Sequence, residues 1–114
     1  MASRPNPLKL NTLQCKTLVL LQALARVQGA GTVGPGPGEV TIQRFPDAHG
    51  DHFHLGNAVV MAKDTTGLHN EAVWNALTRK GLARADWPSA IVLTADGLAY
   101  DTGIAKDVLK LMPH

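Results

Sequence analysis

Three histidines, His49, His52 and His54, fall close together with Asp47 and Asp51 among them. Imidazole nitrogens and carboxylate oxygens suit zinc or another first-row divalent ion, and a closed site takes about four such ligands. If the segment is extended, His52 and His54 project to the same side, because strand side chains alternate with a period of two. The same residues serve equally as a solvated turn whose side chains hydrogen-bond locally, and no Cys-x-x-Cys or His-x-x-x-His spacing accompanies them. A metal-responsive role on His49, His52 and His54 is therefore a subsidiary expectation, and His69 and His114 do not join the group.

Other reactive types are sparse. The two serines, Ser3 and Ser89, lie in an N-terminal arm and beside Pro88, with no nucleophile elbow around either. Cys15 is the single cysteine, sits on an expected helix and lacks a neighbouring histidine, which suits a small apolar residue better than a nucleophile. Gly29, Gly31 and Gly34 match the spacing of a dinucleotide fingerprint, but the pyrophosphate of such a site rests on a helix that opens after a strand. Here the glycines follow a helix and run into Pro35, and no Gly-Lys-Ser/Thr ending is present. These patterns point away from an enzyme and from a cofactor.

What remains is recognition, carried by the stretch from Leu68 to Thr94. Leu68, Ala72, Val73, Ala76 and Leu77 recur on one helical face, while His69, Asn70, Asn75, Thr78 and Arg79 fall elsewhere. Gly81 stands where a left-handed C-terminal residue is wanted, and Arg79 with Lys80 places positive charge beside the last free carbonyls. Two strand-like pieces follow, Leu82 to Ala85 and Ala90 to Thr94, around a Trp-Pro turn. The runs Asn75-Ala-Leu-Thr-Arg-Lys-Gly-Leu82 and Ile91-Val-Leu-Thr-Ala-Asp-Gly97 resemble the second half of a winged helix-turn-helix domain of the multiple-antibiotic-resistance regulator (MarR) type. In that family a recognition helix ends in Lys-Gly-Leu, two strands form the wing, and a Leu-Thr-x-x-Gly step opens the next helix. The resemblance covers residues 68–97. It implies that His69, Asn70, Glu71, Asn75, Thr78 and Arg79 face a DNA major groove while Lys63, Lys80 and Arg84 hold the backbone. A wing built on Asp86 and Trp87 departs from the family's basic wing, and Trp74 and Trp87 are expected to pack the core and the wing.

The elements that would position this helix read as follows. Residues 1–9, rich in proline, suggest a flexible arm. Asn11 with Gln14 three residues on is a capping arrangement, with Leu10 as a staple, so a helix should run from Thr12 to about Gln28. Its apolar surface, Leu13, Leu18 to Leu21, Leu24 and Val27, is wider than one stripe, which fits either a central core helix or a face shared with a second subunit. Residues 29–39 form a Gly/Pro-rich loop, and residues 40–45 alternate as a short strand. A positioning helix is expected from Gly56 or Asn57 to Lys63, then a tight turn over Asp64 to Gly67. After the wing, residues 95–102 are either a helix capped by Thr94, as the resemblance implies, or the second arm of an Asp-Gly hairpin. Ile104 to Met112 reads as a last helix, either closing the core or completing a dimer contact.

The chain has 114 residues, 45% of them hydrophobic, which is enough for one domain and one modest core. A formal charge of +2 is too small to announce a nucleic-acid binder, and between Lys63 and Arg84 four basic residues face two acidic ones. Apolar runs such as Leu18 to Leu21 fall far short of the ~20 residues of a membrane span, and the polar start lacks a signal-peptide core. With one cysteine, a reducing compartment and a cytoplasmic location are expected. The expectation is thus a single α+β winged helix-turn-helix domain over residues 1–114, with a three-helix core, a small antiparallel sheet and a C-terminal helix. Its expected role is a small, dimeric, DNA-binding transcriptional regulator that acts on double-stranded DNA. The alternative is a winged-helix protein-interaction module that does not bind DNA.

Overall fold

The computed structural model describes residues 5–26, 31–43, 45, 52–55 and 58–111. The elements in order are α1 (Thr12–Arg26), β1 (Gly31–Val33), β2 (Val40–Ile42), β3 (His52–Leu55) and β4 (Ala58–Met61), then two 3-10 turns, Ala62–Asp64 and Thr66–His69. They are followed by α2 (Glu71–Arg79), β5 (Ala83–Asp86), β6 (Ala90–Leu93), α3 (Ala95–Ala99), α4 (Ala105–Val108) and β7 (Lys110–Leu111). The fold is α+β, and no helix among the described residues is long and apolar enough to cross a membrane.

Helix α1 is the centre of the core. It begins on a reciprocal cap: the Gln14 amide donates to Asn11 Oδ1 at 2.8 Å and the Asn11 amide to Gln14 Oε1 at 3.0 Å. That satisfies two of the free donors of the first turn. Leu18, Val19, Leu20 and Leu21 are all buried within this one chain. Leu18 to Leu21 and Leu24 are thus covered by intrachain packing, with α2 on one side, β2 and β6 on another, and α4 also against the helix, while Leu13 is half-buried and Val27 lies outside the described residues. Gln22 is the polar exception: its amide donates to the carbonyls of Gly97 and Tyr100 at 2.9 and 2.8 Å, tying α1 to the end of α3.

The strands form two antiparallel sheets, one of four in the order β1-β2-β6-β5, which packs against α1, and one of three in the order β3-β4-β7. In the larger sheet Ile42 pairs with Ile91, both fully buried, and Leu93 lies opposite Val40 and Ala83. The adjacent row, Thr32, Thr41, Val92 and Arg84, is less buried and faces outward, as the pleat requires. The β5–β6 hairpin leads directly into α3, whose N-cap is Thr94: its hydroxyl accepts from the Gly97 amide at 3.1 Å. Residues 95–99 therefore take the helical branch of the two readings.

Several expectations need correction. The positioning helix does not form over the described part of residues 56–63: Ala58–Met61 is a strand paired with His52–Leu55, followed by the two 3-10 turns. Its burial alternates, with Ala58 and Val60 buried and Val59 and Met61 half-buried, and two adjacent valines prefer the pleated conformation. The last helix is confined to Ala105–Val108, because Lys110 and Leu111 pair with Val59 and Ala58 as the third strand of the smaller sheet. Within the Gly/Pro-rich loop, Gly31–Val33 is a strand on the edge of the larger sheet. In the N-terminal arm, Asn6 is bound to the C-terminal segment: its amide donates to the Asp101 carbonyl and the Tyr100 hydroxyl donates to its Oδ1, each at 2.6 Å.

Candidate nucleic-acid interface

Helix α2 is short, so its ends and its docking define where its polar face points. Asn70 is the N-cap, its side-chain oxygen accepting from the Ala72 amide at 3.0 Å. At the other end the Leu82 amide bonds the Leu77 carbonyl and the Gly81 amide the Thr78 carbonyl, with Gly81 at φ 77°. This double closure needs a left-handed residue, which glycine supplies without a Cβ penalty. Thr94 then donates to the Gly81 carbonyl at 2.8 Å, joining the end of α2 to the start of α3.

The two 3-10 turns before α2 replace a positioning helix as its mount on α1. Asp64, itself buried, pairs with Lys16 of α1 at 2.7 Å. Leu68 is buried, and the backbone at Gly67 comes so near Thr17 of α1 that a side chain there has no room. Val73, Trp74, Ala76 and Leu77 face inward. Trp74 meets Trp87 edge to face at a centroid distance of 4.7 Å and Phe45 at 5.6 Å, so the aromatic side of α2 locks onto the hairpin turn. Ala72, expected on the packed side, is exposed, and Trp74 is buried instead.

The outward face that results carries Glu71, Asn75, Thr78 and Arg79, all exposed, with His69 exposed just before the helix. The arrangement brings together most of the side chains expected at a groove, with two qualifications of role. Asn70 spends its carbonyl oxygen on the cap, so bidentate pairing with a base is closed to it while the cap stands. The Thr78 hydroxyl donates to the Trp74 carbonyl at 2.9 Å. Of the cations, Lys63, Arg79 and Lys80 are exposed and form no ion pair among the described residues, whereas Arg84 forms a bidentate pair with Glu39. The Arg84 guanidinium, through its hydrogen bonds above all, holds the Glu39 carboxyl below its ordinary range, and Glu39 raises Arg84 in turn. Glu39 was not among the residues singled out from the sequence: its partner is 45 positions away.

The remaining candidates lie elsewhere. His52 and His54 fall two apart on β3, opposite Met61 and Val59, and His49 lies outside the described residues. No group of three or more His, Cys, Asp or Glu among the described residues is placed to hold a metal ion. The Cys15 thiol is buried, which pushes its pKa up, and it points at the Leu10 carbonyl. An open cleft of about 500 Å³ at the C-terminal end of α2 is lined by Leu8, Lys80, Leu82, Asp96 and Tyr100. A second, of about 440 Å³, lies between α1 and α4 with Lys16, Lys63 and Asp107 in its wall.

Compared with protein-family models, with curated proteins and with solved structures, the chain matches none of them. What the geometry defines is a small α+β domain that presents one polar helical face beside an antiparallel hairpin.

Proposed function

We propose that this chain is a winged-helix protein that binds double-stranded DNA with α2 as its recognition helix. The observation that carries the reading is the outward face of α2, with Asn75 and Arg79 exposed beside Lys80 and no carboxylate paired to either cation among the described residues. The topology supports it: β2 pairs with β6 and β6 with β5, so the hairpin after α2 is sewn to a strand that lies between α1 and α2, the sheet order of a winged helix. In this reading the paired 3-10 turns stand in for the first helix of the helix-turn-helix. Asn75 is suited to adenine and Arg79 to guanine or phosphate, while Lys80 and Lys63 meet backbone. A homodimer, which the resemblance implies, would present two such faces about one duplex turn apart. The role that follows is transcriptional regulation.

One observation favours the alternative, a winged-helix module for protein recognition. The hairpin tip, residues 86–89, carries Asp86 and Trp87, and the single arginine at its base is already paired. Anisotropy of a labelled mixed-sequence duplex, titrated at several salt concentrations, separates the two. Each phosphate contact adds about 0.9 to the slope of log K against log salt, so Arg79→Ala with Lys80→Ala should flatten the slope by about 0.9 with Arg79 on guanine and about 1.8 with it on phosphate. An absence of binding at low salt, or an unchanged slope in the double variant, defeats the DNA reading and leaves the protein-recognition one.

A further inference from the structure

The outward row of the larger sheet ends in Arg84, whose side chain is 52% exposed. Its guanidinium reaches back across β6 to Glu39, Nη1 donating to Oε2 and Nη2 to Oε1. Two parallel bonds between a planar cation and a planar anion are also the geometry with which arginine takes a phosphate. The seat of Glu39 is constructed by the glycine-rich loop. The Gly34 amide donates to the Glu39 carbonyl at 2.8 Å and the Glu39 amide to the Gly36 carbonyl at 3.2 Å. A Cβ at Gly34 would lie 2.7 Å from Glu39 Cβ, and one at Gly36 2.6 Å from Glu39 Oε1. At Gly34 the close atoms include the Glu39 backbone, so the loop folds against Glu39 there only because that position is glycine. An ordinary surface ion pair, which contributes little to stability, has no need of such a seat. Asp86, two residues along the same strand and exposed, adds negative charge on the same side.

We infer that Glu39 is an internal anion that occupies the wing guanidinium of Arg84, withholding one phosphate contact from a duplex that α2 engages. The inference rests on the DNA-binding reading above and adds to it a residue that limits non-specific affinity. With Arg84 occupied, attraction to any duplex comes from the cations around α2, and the share of binding that depends on the helix face is larger. Removing the carboxylate charge frees a cation that is already exposed.

The test is a four-protein cycle on the labelled duplex: the full chain, Glu39→Gln, Arg84→Ala, and both together. Glu39→Gln should steepen the salt slope by about 0.9, which between about 50 and 200 mM salt is a further 3.5-fold loss of affinity. Its affinity at the lowest salt should exceed that of the unsubstituted chain by a similar factor. Arg84→Ala should leave the unsubstituted chain's binding unchanged and abolish the gain in the Glu39→Gln background. Should Glu39→Gln fail to melt cooperatively, Glu39→Ala, which likewise removes the charge, carries the same expectation. A duplex bound equally by the chain and its Glu39 variants overturns the inference and leaves the DNA reading standing, as does weakened binding in Arg84→Ala alone. If the unsubstituted chain does not bind duplex at low salt, the DNA reading and the inference fall together, whatever the Glu39 variants do.

Discussion

Gly67→Ala tests how α2 is mounted, and its cost follows from space rather than from backbone conformation. The residue lies in the second 3-10 turn without a positive φ, so alanine suits the backbone as well as glycine does. Its Cβ, however, would fall 1.8 Å from Thr17 Oγ1, 3.1 Å from Thr17 Cβ and 3.4 Å from Leu13 Cδ1. Thr17 is fully buried and its hydroxyl is held by the Leu13 carbonyl at 2.8 Å, so the oxygen has no easy retreat. Either the turn or α1 must move by about 1 Å, an overpacking cost of about 1–3 kcal/mol. Thr17→Ala alone removes that hydrogen bond and a small buried volume, for about 1–2 kcal/mol. In the double variant the worst contact is gone and 3.1 Å is the nearest that remains, so the two losses should fall short of their sum by about 1–2 kcal/mol. Urea unfolding of the four proteins, followed by circular dichroism, measures this coupling directly. Losses that add to within about 0.5 kcal/mol would refute the claim that the turn is pressed against α1 at this point.

Two further outcomes are expected. Asn11→Ala removes the half of the α1 cap in which Asn11 Oδ1 accepts from the Gln14 amide, leaving the backbone donation to Gln14 Oε1, and should cost about 1 kcal/mol in the urea midpoint analysis; a change under about 0.3 kcal/mol would mean that this cap is not what starts α1. The Glu39 carboxyl is depressed in the folded chain, chiefly by its hydrogen bonds to Arg84, so its stabilising contribution is complete above the unfolded glutamate value and lost as pH falls through the lower folded one. The chain should therefore exceed Glu39→Gln in stability at neutral pH, with the gap closing on the acid side. A gap that stays constant down to acid pH would show that the pair is not the source of the difference.

The residues expected to be chemical and the residues that proved structural divide along the range of the interactions involved. The Asn11–Gln14 cap, the Gly81 terminus and the polar face of α2 are legible in the sequence, because each depends on neighbours within about one helical turn, whereas residues 95–102 read equally as a helix or a hairpin arm until the fold decides. The strand at Ala58–Met61 was misread as a helix because four residues hold too little periodicity to tell two conformations apart, and pairing with His52–Leu55 decides between them. The same holds for Lys110 and Leu111, which continue a helical pattern in the sequence but complete a sheet begun some fifty residues earlier.

The sequence by itself determined that a short amphipathic helix with an exposed polar side precedes a hairpin, since apolar spacing and turn chemistry are properties of consecutive residues. Only the tertiary structure decided which charges on that surface are available. Arg84 reads as a cation like Arg79 until the chain folds and a glycine-rich turn delivers Glu39 to it. An ion pair is set by distance in space, and the spacing of residues along a chain carries no record of which side chains will meet across a sheet.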